Sequence, residues 1–237
     1  MNLVILEKTD FIDEDTVVLK GRRFKHLISV NRVANHDELS CGLLNGKIGT
    51  GVITNLSKTF LEMKVQLDRD PPDPLPLTLV LALPRPKMLK RIIESVTSLG
   101  VKKIYLINSW RVEKSYWQSP LLEEKDLRKH MILGLEQSRD TVLPQIFMKR
   151  FFTCFVTEEL PKISKNTVCI TAHPKTSDRC PSGVNKEITL VIGPEGGFID
   201  IEIETLEKQG FSSCHIGQRI LKVETAVTYL IARLYNY

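Results

Sequence analysis

Ile188-Thr189-Leu190-Val191-Ile192-Gly193-Pro194-Glu195-Gly196-Gly197-Phe198 is the stretch whose reading decides the fold. The run Ile188–Ile192 has the composition of a buried strand. It passes directly into a loop with three glycines in five residues, and a helical segment follows. Strand, glycine loop and helix in that order expose backbone amides to a ligand, because glycine lets another molecule approach the main chain. The loop lacks the Lys-Ser/Thr pair of a phosphate-cradling loop and the Gly-x-Gly-x-x-Gly spacing of a dinucleotide fingerprint. Alone, it is a tight strand-to-helix turn. A second segment changes that reading: His215-Ile216-Gly217-Gln218-Arg219-Ile220-Leu221-Lys222-Val223-Glu224-Thr225-Ala226. Two glycine-bearing loops at the ends of two predicted strands, about 20 residues apart, point to one pocket built from both.

Outward from these loops, residues 77–237 alternate strand and helix patterns, as in an α/β domain with a mainly parallel sheet. Leu77–Leu83 reads as a buried strand, and Pro86 opens a helix. Met88, Leu89, Ile92, Ile93, Val96 and Leu99 recur at helical spacing, and Gly100 ends the helix. Lys103–Ile107, Phe151–Val156 and Thr167–Ala172 are the next predicted strands. Leu121–Ser138 and Asp200–Gln209 are predicted helices. Glu202, Glu204 and Glu207 are assigned to the solvated face of the latter. Lys222–Tyr235 is the last helix, with Val223, Ala226, Val227, Leu230 and Leu234 forming a core or dimer-interface stripe.

Residues 1–70 read differently. Leu3–Leu6, Thr16–Leu19, Glu38–Leu44, Lys47–Thr54 and Phe60–Gln66 are short strands of a small β-rich unit. Asn45-Gly46 has the composition of a tight hairpin with positive φ at both central residues. From 20 to 32 there are five Lys/Arg and no Asp/Glu, within a unit that holds ten of each sign. A solvated helix face is the plainer reading of that run; a phosphate-contacting surface is the functional one. Asp70-Pro71-Pro72-Asp73-Pro74-Leu75-Pro76 has four prolines in six residues and is a stiff extended linker. The domain division expected is therefore 1–70, a linker 71–76, and 77–237.

Composition narrows the class. The chain has 237 residues, 42% hydrophobic, enough for a packed core. Apolar runs such as Leu79–Leu83 are far too short to span a bilayer. The first residues show neither basic flank nor cleavage pattern, so no signal peptide is expected. Five dispersed cysteines without a Cys-x-x-Cys pair fit reduced cytoplasmic thiols, and the five histidines show no metal-ligand spacing. The formal charge of +5 favours a polyanionic partner. Arg85–Lys114 holds eight Lys/Arg against Glu94 and Glu113, with Trp110, Tyr116 and Trp117 alongside. Such interleaving suits unstacked RNA bases, although large aromatics are more commonly core or interface residues.

The two paired motifs, Gly193-Pro194-Glu195-Gly196-Gly197-Phe198 and Gly217–Ala226, resemble the signature of the RsmE family, ribosomal RNA N3-uridine methyltransferases of the SPOUT class. The resemblance implies a knotted α/β domain, with a mainly parallel sheet and flanking helices, that binds S-adenosylmethionine and works as a homodimer. It also implies an N-terminal PUA-like β-barrel that grips RNA. His26-Leu27-x-x-Val30-x-Arg32 is similar to a family stretch there, with Asn31 in place of Leu and His36 in place of Gly. Further departures are Ser98 for Glu, Lys222 for Arg, and Arg139 one residue early in a Glu-Gln-Ser-x-Arg pattern. One position on a helix is a rotation of about 100°.

By resemblance, Ala172, His173, Gly193, Pro194, Glu195, Gly196, Gly197, Ile216, Gly217, Ile220 and Leu221 hold the cofactor. Arg22, Arg23, Lys25, Arg32, Lys87, Arg111 and Arg139 are the candidate RNA contacts. Methyl transfer to uridine N3 requires loss of the N3 proton, which leaves negative charge on the ring oxygens. Arg219 and Lys222 are the candidates to stabilise that anion, and Glu224 or Glu195 to act as base or to orient the cations. A plainer role for Glu224 is pairing near a helix start. No metal is indicated. The expected substrate is 16S ribosomal RNA, within the assembled small subunit. The alternatives are another RNA target for the same fold, or an RNA-binding assembly protein without catalysis.

Overall fold

The computed structural model describes residues 2–236. The chain divides into two compact units: residues through Asp73 with Met131–Leu143, and Pro74–His130 with residues from Pro144 onward. Composition marks the proline linker at this division. It does not reveal that 131–143 packs with the N-terminal residues.

The first unit contains β1 (Val4–Leu6), β2 (Thr16–Leu19), α1 (Gly21–His26), β3 (Glu38–Leu43), β4 (Ile48–Leu56) and β5 (Leu61–Arg69). They form a sheet in the order β1-β3-β4-β5-β2, antiparallel except for β1 against β3. Alternate residues turn inward, so Leu6, Val17, Leu19, Cys41, Ile53 and Met63 share one core with Phe24 and Leu27 of the helical segment. Burial pushes the Cys41 thiol up to about 12. At the register shift in β4, a Cβ on Gly49 would lie 1.7 Å from the Gln66 carbonyl oxygen, so only glycine permits this crossing of β4 and β5.

The expected Asn-Gly hairpin is corrected in detail. Asn45 takes φ 59°, but Gly46 is not among the positive-φ residues. The reason is tertiary. Asn45 Oδ1 accepts the Leu143 N–H at 2.9 Å, its own N–H donates to the Thr141 carbonyl, and Thr141 Oγ1 donates to the Gly46 carbonyl. The turn takes its shape from the 141–143 segment. At position 36, where the resembling family has glycine, His36 holds φ 72°. The departure in residue type therefore leaves a left-handed backbone in place.

The second unit contains β6 (Leu77–Ala82), α2 (Pro86–Ser98), β7 (Lys103–Ile107), the first half of α3 (Glu124–Ser138), β8 (Gln145–Lys149), α4 (Phe152–Cys154), α5 (Leu160–Ile163), β9 (Val168–Ala172), β10 (Ile188–Ile192), α6 (Asp200–Lys208), β11 (Ser212–Cys214) and α7 (Val223–Tyr235). Its six-stranded sheet is parallel throughout, in the order β11-β9-β10-β6-β7-β8. Every residue of β6 and β10 is buried, which is why both read as unbroken apolar runs. In α2, Leu89, Ile92, Ile93 and Val96 are buried on one face, as the helical spacing predicts.

Two expectations fail here. Phe151–Val156 is not a strand. α4, a π-helical turn Phe155–Glu159 and α5 occupy this stretch, and Phe155, Val156 and Leu160 are buried at helical spacing. The strand comes earlier, as β8, an edge strand with Gln145, Phe147 and Met148 exposed. An edge strand lacks the apolar run that betrays a central one. The second correction concerns Trp110, which is 79% exposed and so belongs to no core.

Candidate functional site

β9, β10 and β11 are adjacent and parallel, so their carboxyl ends open on one edge of the sheet, where α/β folds place ligands. Ala172 leads into His173-Pro174-Lys175, Ile192 into the glycine loop, and Cys214 into the segment 215–221. These three loops, with Val223, Ala226 and Leu230 of α7, enclose a cavity of about 260 Å³. Its floor is apolar: Ile192, Phe198, Cys214, Val223 and Leu230 are buried.

The glycine loop is held from three sides. Gly197 N–H donates to the Pro194 carbonyl at 2.8 Å, closing a turn in which Gly197 takes φ 71°. Glu195 Oε1 accepts the N–H of Arg85, the residue that caps α2, at 2.9 Å. A carboxylate at a helix N-terminus is favourable. Arg111 Nη1 donates to the Gly196 carbonyl at 2.5 Å while its stem lies across the glycine, where a Cβ would meet the Arg111 Cδ at 3.0 Å.

Sequence reasoning missed the residue that locks the far end of this loop. Glu202 is 5% exposed rather than solvated. Its Oε1 accepts the Trp110 N–H at 2.8 Å and its Oε2 accepts the Ile199 N–H at 3.0 Å. The legible signal was its place in the first turn of α6, where a glutamate reaches back to the N-cap amide. His215 was also missed. Its Nδ1 accepts the Gly217 N–H at 3.1 Å and shapes the second loop from within. At His173, burial is the main cause that lowers the imidazole pKa below its ordinary value, and the Lys175 ammonium adds to it.

All eleven residues expected to hold a cofactor line this one cavity. Of the four catalytic candidates, Glu195 and Arg219 line it as well. Lys222 is the exposed N-cap residue of α7 and is not part of the wall. Glu224 faces a different groove, between α2 and α7, with Arg91, Glu94, Thr228 and Tyr229.

The candidate RNA contacts are dispersed. Arg22 makes a bidentate pair with Glu136, and Arg23 another with the buried Asp10. Both guanidinium groups have structural partners within the first unit. Lys25 is exposed on α1, and Arg32 ends the π-helical turn Leu27–Asn31 with φ 53°. Lys87 is exposed in the first turn of α2. Arg139 follows α3 in a left-handed conformation, φ 58°. Among the described residues, no helix is long and apolar enough to cross a membrane, and no cluster of His, Cys, Asp and Glu suits a metal ion.

Comparison with known proteins agrees with this geometry. The model of the RNA methyltransferase domain matches residues 71–235, and that of the RNA methyltransferase PUA domain matches 19–66. The chain is 27% identical over 232 residues to the ribosomal RNA small subunit methyltransferase E of Treponema pallidum, covering 95% of this chain and 87% of that one. It is 27% identical to the first such protein of Borreliella burgdorferi, covering 95% and 94%. Among solved structures, a Legionella pneumophila protein with bound S-adenosylmethionine superposes with a TM-score of 0.76 at 21% identity, covering 98% of this chain and 95% of that one. The Neisseria gonorrhoeae ribosomal RNA small subunit methyltransferase E, also bound to S-adenosylmethionine, gives 0.74 at 22%, with the same coverage. At such identity these two show the fold, a SPOUT-type α/β unit with a PUA-like N-terminal unit. The chain belongs to the family defined by the RNA methyltransferase domain, and the two relatives above carry the name ribosomal RNA small subunit methyltransferase E.

Proposed function

We propose that this protein is an S-adenosylmethionine-dependent methyltransferase that methylates N3 of a uridine in 16S ribosomal RNA. In this reading it acts on the assembled small subunit, in the cytoplasm, as a homodimer. Residues 1–70 grip RNA, 71–76 link, and 77–237 catalyse. The observation that carries the reading is the convergence of both glycine motifs, which follow two different strands, on a single cavity. The cavity suits a flat, largely neutral adenosine better than a nucleotide phosphate. Its floor is apolar, and its glycine loop exposes main chain without a phosphate-cradling lysine of its own; the cations of the lining, Lys175 and Arg219, come from the other two loops.

Bound S-adenosylmethionine supplies an electrophilic methyl carbon and a neutral leaving group. The chain supplies position and charge. The backbones of Gly193, Gly196, Gly197 and Gly217, with Ile220 and Leu221 of the same lining, would hold the adenosine. Arg219, at the mouth, stabilises the negative charge that develops on the uracil oxygens. Lys222, three residues on at the N-cap of α7, neutralises phosphate as a point charge rather than by a bidentate fork. Glu195, tied to the Arg85 N–H, orients the loop. Glu224 lies outside the cavity of its own chain, and a role as base would have it serve the site of a second copy.

The test is methyl transfer from labelled S-adenosylmethionine to unmodified small subunits and to naked ribosomal RNA, with the product nucleoside identified. N3-methyluridine at one site in subunits is the expected product. A different methylated nucleoside would move the target, and no transfer to either would sink the reading. Glu195→Gln and Glu224→Gln test the carboxylates; full rates in both would remove them from the chemistry. The second reading, another RNA target, is favoured by Arg139, which stands one residue early and in a left-handed turn.

A further inference from the structure

We infer that Trp110 and Phe151 form a stacking platform for an unpaired RNA base that flanks the reacting nucleotide. The inference rests on the methyltransferase reading and adds a substrate contact to it. Trp110 is 79% exposed and Phe151 78%, with Ile201 beside Glu202 at 64%. Large aromatics left in water forfeit the burial that normally stabilises them, so two of them at one sheet end are informative.

Their place is defined by the fold. Trp110 follows β7 and Phe151 follows β8, and the pairing of these strands continues past their ends through Asn108 N–H to the Lys149 carbonyl at 2.9 Å. Because the whole sheet is parallel, these ends open on the same edge as the cavity. Two strand spacings, roughly 10 Å, separate β10 from β7, within reach of a neighbouring nucleotide. The connection to the cavity is physical. Glu202 accepts the Trp110 N–H, Arg111 lies across Gly196, and the Phe152 ring packs 5.9 Å from that of Phe198 in the cavity wall.

Charge selects the occupant. Arg111 and Arg150 adjoin Trp110 and Phe151 in the chain, and Arg85 and Lys87 follow β6, the strand next to β7; Glu113 and Asp200 are the carboxylates of the corresponding loop and helix start. Arg150 lies 5.4 Å over the Trp117 ring, and Trp117 Nε1 donates to Asn108 Oδ1 at 2.9 Å, which anchors a cation beside the exposed rings. Aromatics and arginines also occur together at protein interfaces, but the excess of cations over carboxylates favours a polyanion, and aromatics interleaved with arginines are how single-stranded nucleic acid is held without sequence readout.

The test uses the full chain and a single-stranded uridine-rich oligoribonucleotide, followed by tryptophan emission. Binding quenches the emission of the unaltered protein, and Trp110→Ala and Phe151→Ala each weaken oligonucleotide affinity about tenfold. Trp110→Phe keeps most of the affinity, while calorimetry with S-adenosylmethionine gives the same affinity in all of them. Unchanged oligonucleotide affinity in both alanine variants overturns the platform, and so does an unaltered protein that ignores the oligonucleotide. A shift of either variant from dimer to monomer in sedimentation assigns the patch to a protein interface and also overturns it. Failure of the unaltered protein to bind S-adenosylmethionine is a separate result, which removes the methyltransferase reading itself.

Discussion

Replacing Glu202 by alanine removes one carboxylate and leaves two backbone amides without their acceptors. The Ile199 N–H, at 3.0 Å, belongs to a half-buried residue at the start of α6. The Trp110 N–H, at 2.8 Å, belongs to an exposed residue that water can reach. A hydrogen bond to a charged group contributes about 1.5–3 kcal/mol net. Counting the Ile199 bond in full and the Trp110 bond in part gives about 2–4 kcal/mol. That is a large share of the 5–15 kcal/mol or so that holds a typical domain. Glu202→Gln keeps one acceptor oxygen but turns an amide N–H toward the other donor, and is expected to cost about 1–2 kcal/mol. Urea unfolding followed by far-UV dichroism measures both, read as shifts in midpoint at constant slope. The same carboxylate ties the glycine loop to the β7 end, so Glu202→Ala also weakens S-adenosylmethionine binding in calorimetry. An alanine variant within about 0.5 kcal/mol of the unaltered protein would refute the assignment of Glu202 as the lock of this loop.

Gly197 holds φ 71° with open space where a Cβ would go, so its cost of substitution is conformational rather than steric. Gly197→Ala should lose about 1 kcal/mol and Gly197→Asn less, since asparagine tolerates the left-handed region; equal losses in thermal melts would contradict this. His173 has a lowered pKa, so the unfolded chain binds its proton first as pH falls. Its contribution is therefore full above the unfolded value, about 6.5, and is lost as pH falls from there through the folded value. His173→Asn should flatten that part of the stability profile between neutral and acid pH, and an unchanged slope would argue against it. Cys154 is exposed, but the Glu158 carboxylate, first among its neighbours, raises its thiol pKa, while Cys41 is buried. Alkylation of native protein near pH 7 should be slow at Cys154 and absent at Cys41, with peptide mapping as the readout.

Local periodicity was enough to determine much of this molecule. β2 and β7 begin and end where the residue pattern places them, and α2 opens at its proline and closes before Gly100, because side chains two or about 3.6 residues apart share a face. The buried strands β6 and β10 were legible because both their faces are covered; the pairing of the two glycine loops in one cavity was legible from their places after strands, while its individual residues came from the family resemblance. Only tertiary structure decided the rest. Whether Phe151–Val156 is strand or helix depends on which residues find a core, and Phe155, Val156 and Leu160 find theirs at helical spacing. The burial of Glu202 depends on an amide 92 residues away in the chain. Packing of 131–143 with the first unit depends on partners such as Arg22, 114 positions from Glu136. A side chain's role follows from the donors that meet it, and those donors come from parts of the chain that no sequence window contains.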